Sequence, residues 1–291
     1  MKPVIALFAL LCTLSGAAVA QSPSQKPFFS KQILLGAHRG GGDQWPENTL
    51  YGFQQAAKTL PGVLLETDAH LTSDGAVILL HDKKVDRTTN GAGDVAALTL
   101  AEVKAFDAGY KFSTDNGATF PLRGKGLTIP TLKEVLDALP DSHILVELKD
   151  EPALADAAIA IIREAKADDR VLLASFVPPT MDRARQLAPA MAYCFDMKNG
   201  MSLLMALRGP KWADYVPQAD VLSVDRDMVA QYNLTQDEIR RVQAKGIRFQ
   251  VHTINDPAQM KEFIDQGVDS ILTDNPSALA KVIADAKPAQ K

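Results

Sequence analysis

Short apolar runs rich in β-branched residues alternate with amphipathic stretches along most of the chain. Such a run suits a strand buried on both faces, and each amphipathic stretch suits a helix packed against it. The alternation therefore predicts an α/β fold of parallel strands, and about eight repeats of it predict a closed (β/α)₈ TIM barrel of about 250 residues. The strand candidates are 33–37, 63–66, 77–80, 144–148, 171–175, 191–195, 221–224, 249–253 and 270–273. The helix candidates are 49–58, 131–138, 153–166, 179–187, 235–245 and 257–265.

There are nine strand candidates, one more than the eight strands of such a barrel. The runs at 63–66 and 77–80 are joined by a link, 70–76, that is too short for the dozen or more residues of a parallel crossover. This pair is expected to form either a hairpin or one sharply bent strand.

Capping residues mark several helix starts. Asn48 or Thr49 precedes the first helix, and Thr131 and Thr235 are each followed three residues later by a glutamate, the pattern of a capping box. Residues 84–130 are rich in Gly, Thr and Asp and are long for a barrel loop, so they are expected to form an insertion that caps one end.

The N-terminus has the pattern of a secretory signal peptide. Lys2 precedes an apolar run and then small residues, which predicts cleavage between Ala20 and Gln21 and a periplasmic or secreted protein. A membrane anchor is the alternative, but the run is shorter than the roughly 20 residues that span a bilayer. Residues 21–32 are expected to be a flexible lead-in, and 33–291 the TIM-barrel domain, with 84–130 as an insertion within it.

Charge and cysteine content narrow the class of protein further. Removing residues 1–20 would leave 30 basic and 35 acidic residues, a net charge of −5, which argues against a nucleic-acid partner. It would also leave Cys194 as the single cysteine, so no intramolecular disulfide is expected. Cys194 lies in an apolar run and is interpreted as a buried small side chain.

Chemically active residues gather at the ends of the predicted strands, where barrel enzymes carry their catalytic groups. These residues are His38, Glu66, Asp68, His81, Glu147 and His252. Glu66 and Asp68 are two positions apart and project from one face of a strand. Together with Glu147, they would supply an all-oxygen site for one divalent cation, Mg²⁺ or Ca²⁺. Ion pairs with Arg39 and Lys149 are the alternative explanation for the three acids.

The two histidines supply the proton-transfer groups that cleavage of a phosphodiester requires. His38 and His81 are interpreted as a general acid and a general base, and Asp82 or Glu47 would fix a tautomer. Arg39 would clamp phosphate oxygens with two donors, and Lys149 would act on them as a point charge. His70 and His143 lie outside the cluster in the sequence, so structural roles are expected for them.

The pattern closely resembles the glycerophosphodiester phosphodiesterase family, in order and spacing, over about 33–150 and 247–280. The matching pieces are His38-Arg39-Gly40, Pro46-Glu47-Asn48-Thr49, Glu66-x-Asp68, Thr72-x-Asp74-Gly75, His81-Asp82, Asp86-Arg87-Thr88-Thr89-Asn90-Gly91, Ile129-Pro130-Thr131-Leu132, Glu147-Leu148-Lys149 and Thr273-Asp274-Asn275-Pro276. The region 176–246 matches only in its general pattern.

The resemblance implies a metal-dependent barrel enzyme that splits glycerophosphodiesters into glycerol 3-phosphate and an alcohol. It makes His38 and His81 the acid/base pair and Glu66, Asp68 and Glu147 the metal ligands. Substrate or charge positioning falls to Arg39, Glu47 and Lys149. In the family mechanism the neighbouring glycerol hydroxyl attacks phosphorus and expels the alcohol, and water then opens the cyclic phosphate.

Two positions depart from the family pattern. His252 stands where a tryptophan is usual, so it is expected to alter the wall that faces the glycerol or headgroup and is counted among the substrate-binding residues. Thr67 stands where an apolar residue usually separates the two acids. The metal ligands themselves are all present.

Two other functions compete with the phosphodiesterase. A lysophospholipase D-like enzyme would use the same site but cleave substrates with an acyl chain, and an apolar rim, for example from the 84–130 cap, would favour it. An exported glycerophosphodiester-binding protein on a decayed barrel would instead have lost a histidine or a carboxylate, and none is missing. Each of the three functions has a small-molecule ligand, and none needs a membrane span.

Overall fold

The computed structural model of the chain describes residues 25–30 and 35–286. Eight parallel strands follow one another in the order β6-β5-β4-β2-β1-β9-β8-β7. A parallel bridge between Cys194 and Val221 joins the first and last strands of this order, so the barrel closes as predicted. The strands are β1 Leu35–Ala37, β2 Leu64–Leu71, β3 Val77–Leu79, β4 His143–Leu148, β5 Val171–Ala174, β6 Ala192–Tyr193, β7 Val221–Asp225, β8 Arg248–His252 and β9 Ser270–Thr273.

The surplus strand is the second arm of a hairpin. β3 pairs antiparallel with β2, with Ala69 opposite Leu79 and Leu71 opposite Val77. Of the two expectations for the short link, the hairpin is therefore correct. β2 extends beyond the barrel wall, and β3 runs back toward the site. The segment 84–130 follows β3 in the chain.

Every predicted helix is present, and four further helices occur within the described residues. The helices are α1 Leu50–Thr59, α2 Leu100–Lys104, α3 Leu132–Ala138, α4 Pro152–Glu164, α5 Pro178–Leu187, α6 Met197–Leu207, α7 Arg226–Gln231, α8 Gln236–Gln243, α9 Pro257–Gln266 and α10 Pro276–Asp285. Thr49 caps α1, and Thr131 and Thr235 complete capping boxes with Glu134 and Glu238. The helices that the sequence prediction omitted are α2, α6, α7 and α10.

Alternate residues of each strand face the barrel interior, where apolar side chains form a layer below the site. This layer contains Leu64, Leu145, Leu172, Ala192, Cys194, Val221 and Leu272, and Phe28 packs against it. Part of the predicted lead-in, residues 25–30, lies within the described residues and contacts the barrel. Pro27–Ser30 forms a 3₁₀ turn with Phe28 buried, and the Lys26 Nζ lies 2.7 Å from Asp220 Oδ2. Residues 1–24, including the predicted signal peptide, lie outside the described residues.

The segment 84–130 is the predicted insertion, and it has a small core of its own. Val85, Val95, Val103 and Ala108 pack there against Ile78, Leu80 and Ile129. Arg87 of the segment contacts Glu47, which lies in the loop after β1, so the segment lies at the carboxyl ends of the barrel strands. Within the described residues, no helix is both long and apolar enough to cross a membrane.

Candidate active site

Three carboxylates meet at the carboxyl ends of β2 and β4. Asp68 lies opposite Glu147 in the strand register, and Glu66 precedes Asp68 on the same face of β2. One oxygen from each of the three groups lies within 4.8 Å of the others. Glu66 and Asp68 are buried, and Glu147 is partly buried. The predicted convergence of these acids is therefore observed.

Two cations lie beside the acids, so the ion pairs weighed as an alternative are also present. The Lys149 Nζ lies 3.0 Å from Asp68 Oδ1 and 2.9 Å from Glu147 Oε2. Burial acts to raise the pKa of Asp68, but the charge of Lys149, a hydrogen bond from Asn48 and the nearby His81 together lower it. Burial and the charge of Asp68 raise the pKa of Glu66 to about 7, although His38 and the backbone N–H of Arg39 act to lower it.

The balance of charge among these side chains indicates whether they fit a metal ion. Three carboxylates share one lysine, Lys149, and a more distant arginine, Arg39. The pKa of the Glu66 carboxyl remains raised. A divalent cation would neutralise this excess, and an all-carboxylate donor set suits Ca²⁺ or Mg²⁺. The residues present therefore fit such an ion.

His38 directly follows β1 and is held by a carboxylate on the neighbouring strand. Its Nδ1 lies 2.6 Å from Asp274 Oδ1, just after β9, and its Nε2 lies 4.0 Å from Glu66 Oε2. Burial acts to lower the pKa of His38, but Glu66 and Asp274 outweigh it, so the pKa is raised. Asn255 donates to the second oxygen of Asp274 at 2.7 Å. The sequence prediction assigned no role to Asp274, although its place after a strand was a usable signal.

His81 has a matching arrangement on the other side of β2. The Asp82 Oδ1 lies 2.7 Å from its Nδ1, so of the two acids that were considered Asp82 is the one in position to fix a tautomer. His70, whose Nδ1 contacts Asp150 Oδ1 at 2.9 Å, places its Nε2 at 3.2 Å from the His81 carbonyl oxygen. His70 is thus structural, as expected, and supports the backbone of His81. His143 lies at the opposite end of the barrel, against the Phe28 ring.

Glu47 contacts arginines rather than a histidine, so its alternative role in fixing a tautomer is not observed. Its carboxylate accepts two hydrogen bonds at 2.7 Å from Arg87, and its Oε1 lies 3.4 Å from Arg39 Nη1. The Arg39 backbone, in a left-handed conformation with φ of 52°, donates its N–H to Glu66 Oε2 at 2.8 Å. The buried Arg39 Nε has no hydrogen-bond partner among the described residues and lies 3.6 Å from Asp68 Oδ2.

Thr67 has a structural reason for being polar. Its hydroxyl donates to Asn48 Oδ1 at 2.7 Å, and the Asn48 amide donates to Asp68 Oδ2 at 3.0 Å. All three residues are buried. Thr67 therefore orients the amide that fixes a metal-candidate carboxylate. Asn48 was predicted only as a helix cap, and it is a further residue of the site.

His252 lies at the end of β8, with its Nδ1 3.0 Å from the Ser223 hydroxyl. Burial lowers the pKa of His252 to about 4, so the ring is neutral at neutral pH. The side chains that could hold a metal ion are those of Glu66, Asp68 and Glu147, and His252 is not among them. Its place at a strand end agrees with a wall position facing the site.

Comparisons with known proteins agree with this geometry. The family model for the "Glycerophosphoryl diester phosphodiesterase family" matches residues 38–278. A "Glycerophosphodiester phosphodiesterase" of Caldanaerobacter subterraneus is 31% identical over 258 residues, which cover 87% of this chain and 98% of that protein. A second, from Bacillus subtilis, is 29% identical and covers 96% of this chain and 97% of its own.

Solved structures show the same fold. The Oleispira antarctica phosphodiesterase "in complex with the product sn-glycerol-3-phosphate" has a TM-score of 0.71 at 24% identity, covering 87% of this chain and 97% of that one. A glycerophosphodiester phosphodiesterase from Thermotoga maritima has a TM-score of 0.65 at 24% identity, covering 87% and 99%. At these identities the likeness concerns the barrel alone.

Proposed function

The chain belongs to the glycerophosphoryl diester phosphodiesterase family, and on that premise we propose that it hydrolyses glycerophosphodiesters to glycerol 3-phosphate and an alcohol. The observation that carries the proposal is the meeting of three carboxylates with His38 and two cations at one barrel end. The enzyme would be a phosphoric diester hydrolase. No carboxylate or histidine of the set is missing, which argues against a binding protein without turnover.

Metal dependence is part of the proposal. Glu66, Asp68 and Glu147 would hold one divalent cation, Ca²⁺ or Mg²⁺, which when bound supplies charge stabilisation at phosphorus. Lys149 would then exchange part of its contact with Asp68 and Glu147 for the substrate phosphate. The Nε of Arg39, which has no hydrogen-bond partner among the described residues and lies 3.6 Å from Asp68 Oδ2, would donate to the same phosphate.

His38 and His81 would transfer the protons of the reaction. One histidine takes the proton of the attacking glycerol hydroxyl while the other protonates the departing alcohol, and phosphorus gains a ring bond as it loses the ester bond. Water then opens the cyclic phosphate with the two roles reversed. Asp274 and Asp82 each hold Nδ1 of their histidine, which leaves each Nε2 for proton transfer. Glu47 would position Arg39, and His252 would line the glycerol or headgroup wall.

The experiment is an assay of glycerol 3-phosphate release from a panel of glycerophosphodiesters, including glycerophosphocholine. We expect His38→Ala and His81→Ala to lose at least about 10²-fold in kcat, as removal of a general acid or base does, while circular dichroism shows retained folding. Full turnover by either variant would remove that histidine from the acid/base pair.

A second candidate function has an observation in its favour. Phe176, in the loop after β5, is 61% exposed, and Met197, after β6, is 49% exposed. Because β5 and β6 are neighbouring parallel strands, both side chains lie at the barrel end that carries the site. These two exposed apolar side chains would supply an apolar rim, which comes from these loops and not from the 84–130 cap. A lysophospholipid, whose acyl chain would contact the rim, is therefore the second substrate class.

The rim can be tested with a matched control on the same helix. Met205 on α6 is 74% exposed and lies about two turns from Met197, away from the site. If lysophospholipids are substrates, Phe176→Ser and Met197→Ser should raise KM for lysophosphatidylcholine several-fold but leave glycerophosphocholine unchanged. Met205→Ser should change neither. Equal effects of Met197→Ser and Met205→Ser would remove the second candidate.

Export remains part of the proposal because residues 1–20 have the pattern of a signal peptide. The mature protein is expected in the periplasm or medium, with Gln21 as its first residue. Amino-terminal sequencing of the mature protein would test this, and a retained residue 1 in an exported fraction would contradict it.

A further inference from the structure

Arg87, a side chain of the cap, contacts two carboxylates beside the site, those of Glu47 and Asp82. Arg87 lies in the segment 84–130 and donates from Nη1 and Nη2 to the two oxygens of Glu47, at 2.7 Å each. Its Nε donates to Asp82 Oδ2 at 2.6 Å, and its Nη2 lies 3.3 Å from Asp82 Oδ1. All of its nitrogens are therefore used by two acids from different parts of the chain.

The contacts continue from Asp82 to a proposed acid/base group. Asp82 Oδ1 accepts from His81 Nδ1, while Asp82 Oδ2 is held by Arg87. The backbone of His81 is fixed separately, through the contact of its carbonyl oxygen with His70. Arg87 therefore acts on the orientation of the His81 ring, and His70 acts on the position of its main chain.

The hydrogen bonds from Arg87 make the largest of the contributions that lower the pKa of Asp82 to about 2. The charged or titratable groups facing the His81–Asp82 pair are Arg87 from the cap, Asp68 and His70 from β2, and Glu47 through Arg87. An isolated surface ion pair contributes little to stability, but a two-pronged guanidinium–carboxylate geometry also fixes direction. A lysine at this position would supply charge without the planar fork.

We propose that Arg87 is a positioning residue for the reaction, which acts through Asp82 to orient His81 and through Glu47 to brace Arg39. The cap is then part of the catalytic arrangement, because without it Asp82 loses the partner that sets the direction of its carboxylate. The inference rests on the proposed function in so far as His81 transfers a proton.

The experiment compares Arg87→Ala with Arg123→Ala, a control in the same cap. Arg123 stacks on the rings of Tyr110 and Phe120 and donates to the Tyr110 carbonyl, so its loss affects the cap without touching the site. For the diester that the wild type cleaves fastest, we expect Arg87→Ala to lower kcat about 10- to 100-fold, within the range for proton-transfer catalysis, with KM nearly unchanged. Arg123→Ala should retain the wild-type kcat.

Two further variants separate positioning from a general loss of stability. Asp82→Asn should lose a similar factor, and adding Arg87→Ala to it should lower kcat clearly less than Arg87→Ala does in the wild type, because the effect of both on His81 is shared and only the contact with Glu47 remains to be lost. Arg87→Lys should fall between wild type and Arg87→Ala. A kcat for Arg87→Ala equal to that of Arg123→Ala, a rise in KM alone, or losses that multiply in the double variant would each overturn the inference.

A spectroscopic readout keeps this inference separate from the proposed function. In ¹⁵N-histidine NMR, the His81 resonance, assigned with His81→Ala, should show a protonated Nδ1 in the wild type and in Arg123→Ala. In Arg87→Ala it should move toward a mixture of tautomers. Absence of diester hydrolysis by the wild type would contradict the proposed function, whereas an unchanged His81 tautomer in Arg87→Ala would contradict the role of Arg87.

Discussion

At the scale of single residues, the site is a set of buried and partly buried charges that are individually unfavourable and only partly compensated by one another. Sequence position identified the acids and histidines, because a carboxylate inside an apolar strand needs a partner. It did not identify Asp274 or Asn48 as partners of His38 and Asp68, because these contacts join residues 236 and 20 positions apart. It also did not identify Arg87 as the partner of Asp82, although the two are only five positions apart. Such pairings depend on loop paths that no local pattern encodes.

Asp274→Asn tests the partner of His38. The variant keeps the shape of the side chain but removes a negative charge that raises the pKa of His38. The limb of the pH profile of kcat/KM that belongs to His38 should therefore move to lower pH, and kcat should fall at least about tenfold. A lower kcat/KM at every pH with no shift in the pH of either limb would contradict the proposed coupling between Asp274 and His38.

Glu66 gives a pH dependence of stability in protein treated with a chelator. Its folded pKa of about 7 lies above the ordinary value of 4.5, so the folded state binds more protons than the unfolded state between these values. The contribution of Glu66 to stability is thus present below about pH 4.5 and lost as the pH rises through about 7. Tm measured from pH 5 to 8 should fall more steeply for the wild type than for Glu66→Gln. Parallel curves would contradict the raised pKa.

At the scale of elements, periodicity and capping signals predicted the strands and six of the helices. The region around α6 was missed because Asn199-Gly200 is typical of a turn, although the Asp196 side chain accepts from the Asn199 N–H at 2.9 Å and starts a helix there. α10 begins at Pro276 directly after Asn275, where proline suits the first helical turn. The turn 27–30 was missed because nothing local predicts that Phe28 packs into the barrel.

Phe28 should be a stability residue of the barrel. It is buried against the lower apolar layer of the barrel, whereas Phe29 beside it is only half-buried. Phe28→Ala should lower the free energy of unfolding in urea by about 3–5 kcal/mol, the usual range for a buried phenylalanine, and Phe29→Ala by clearly less. Equal losses for the two variants would contradict the packing of Phe28 against the lower apolar layer.

At the scale of the whole molecule, the barrel separates stability from chemistry along its axis. Apolar side chains and Phe28 fill one end, while carboxylates, histidines and the cap occupy the other. The barrel could be predicted from the alternation of elements, because each strand and helix has its own period. The cap could be predicted only as an insertion, since its contacts with the site, among them that of Arg87 with Glu47, join residues as much as 40 positions apart.

The most direct test of the account is a metal titration of chelator-treated protein, followed by release of glycerol 3-phosphate from the preferred glycerophosphodiester. The account predicts no turnover without metal and recovery at one equivalent of Ca²⁺ or Mg²⁺. It also predicts no recovery in Glu66→Gln or Glu147→Gln, and full recovery in Asp156→Asn, an exposed acid paired with Arg183 on the outer helices. Full turnover by the metal-free wild type, or normal recovery in Glu66→Gln and Glu147→Gln, would contradict it.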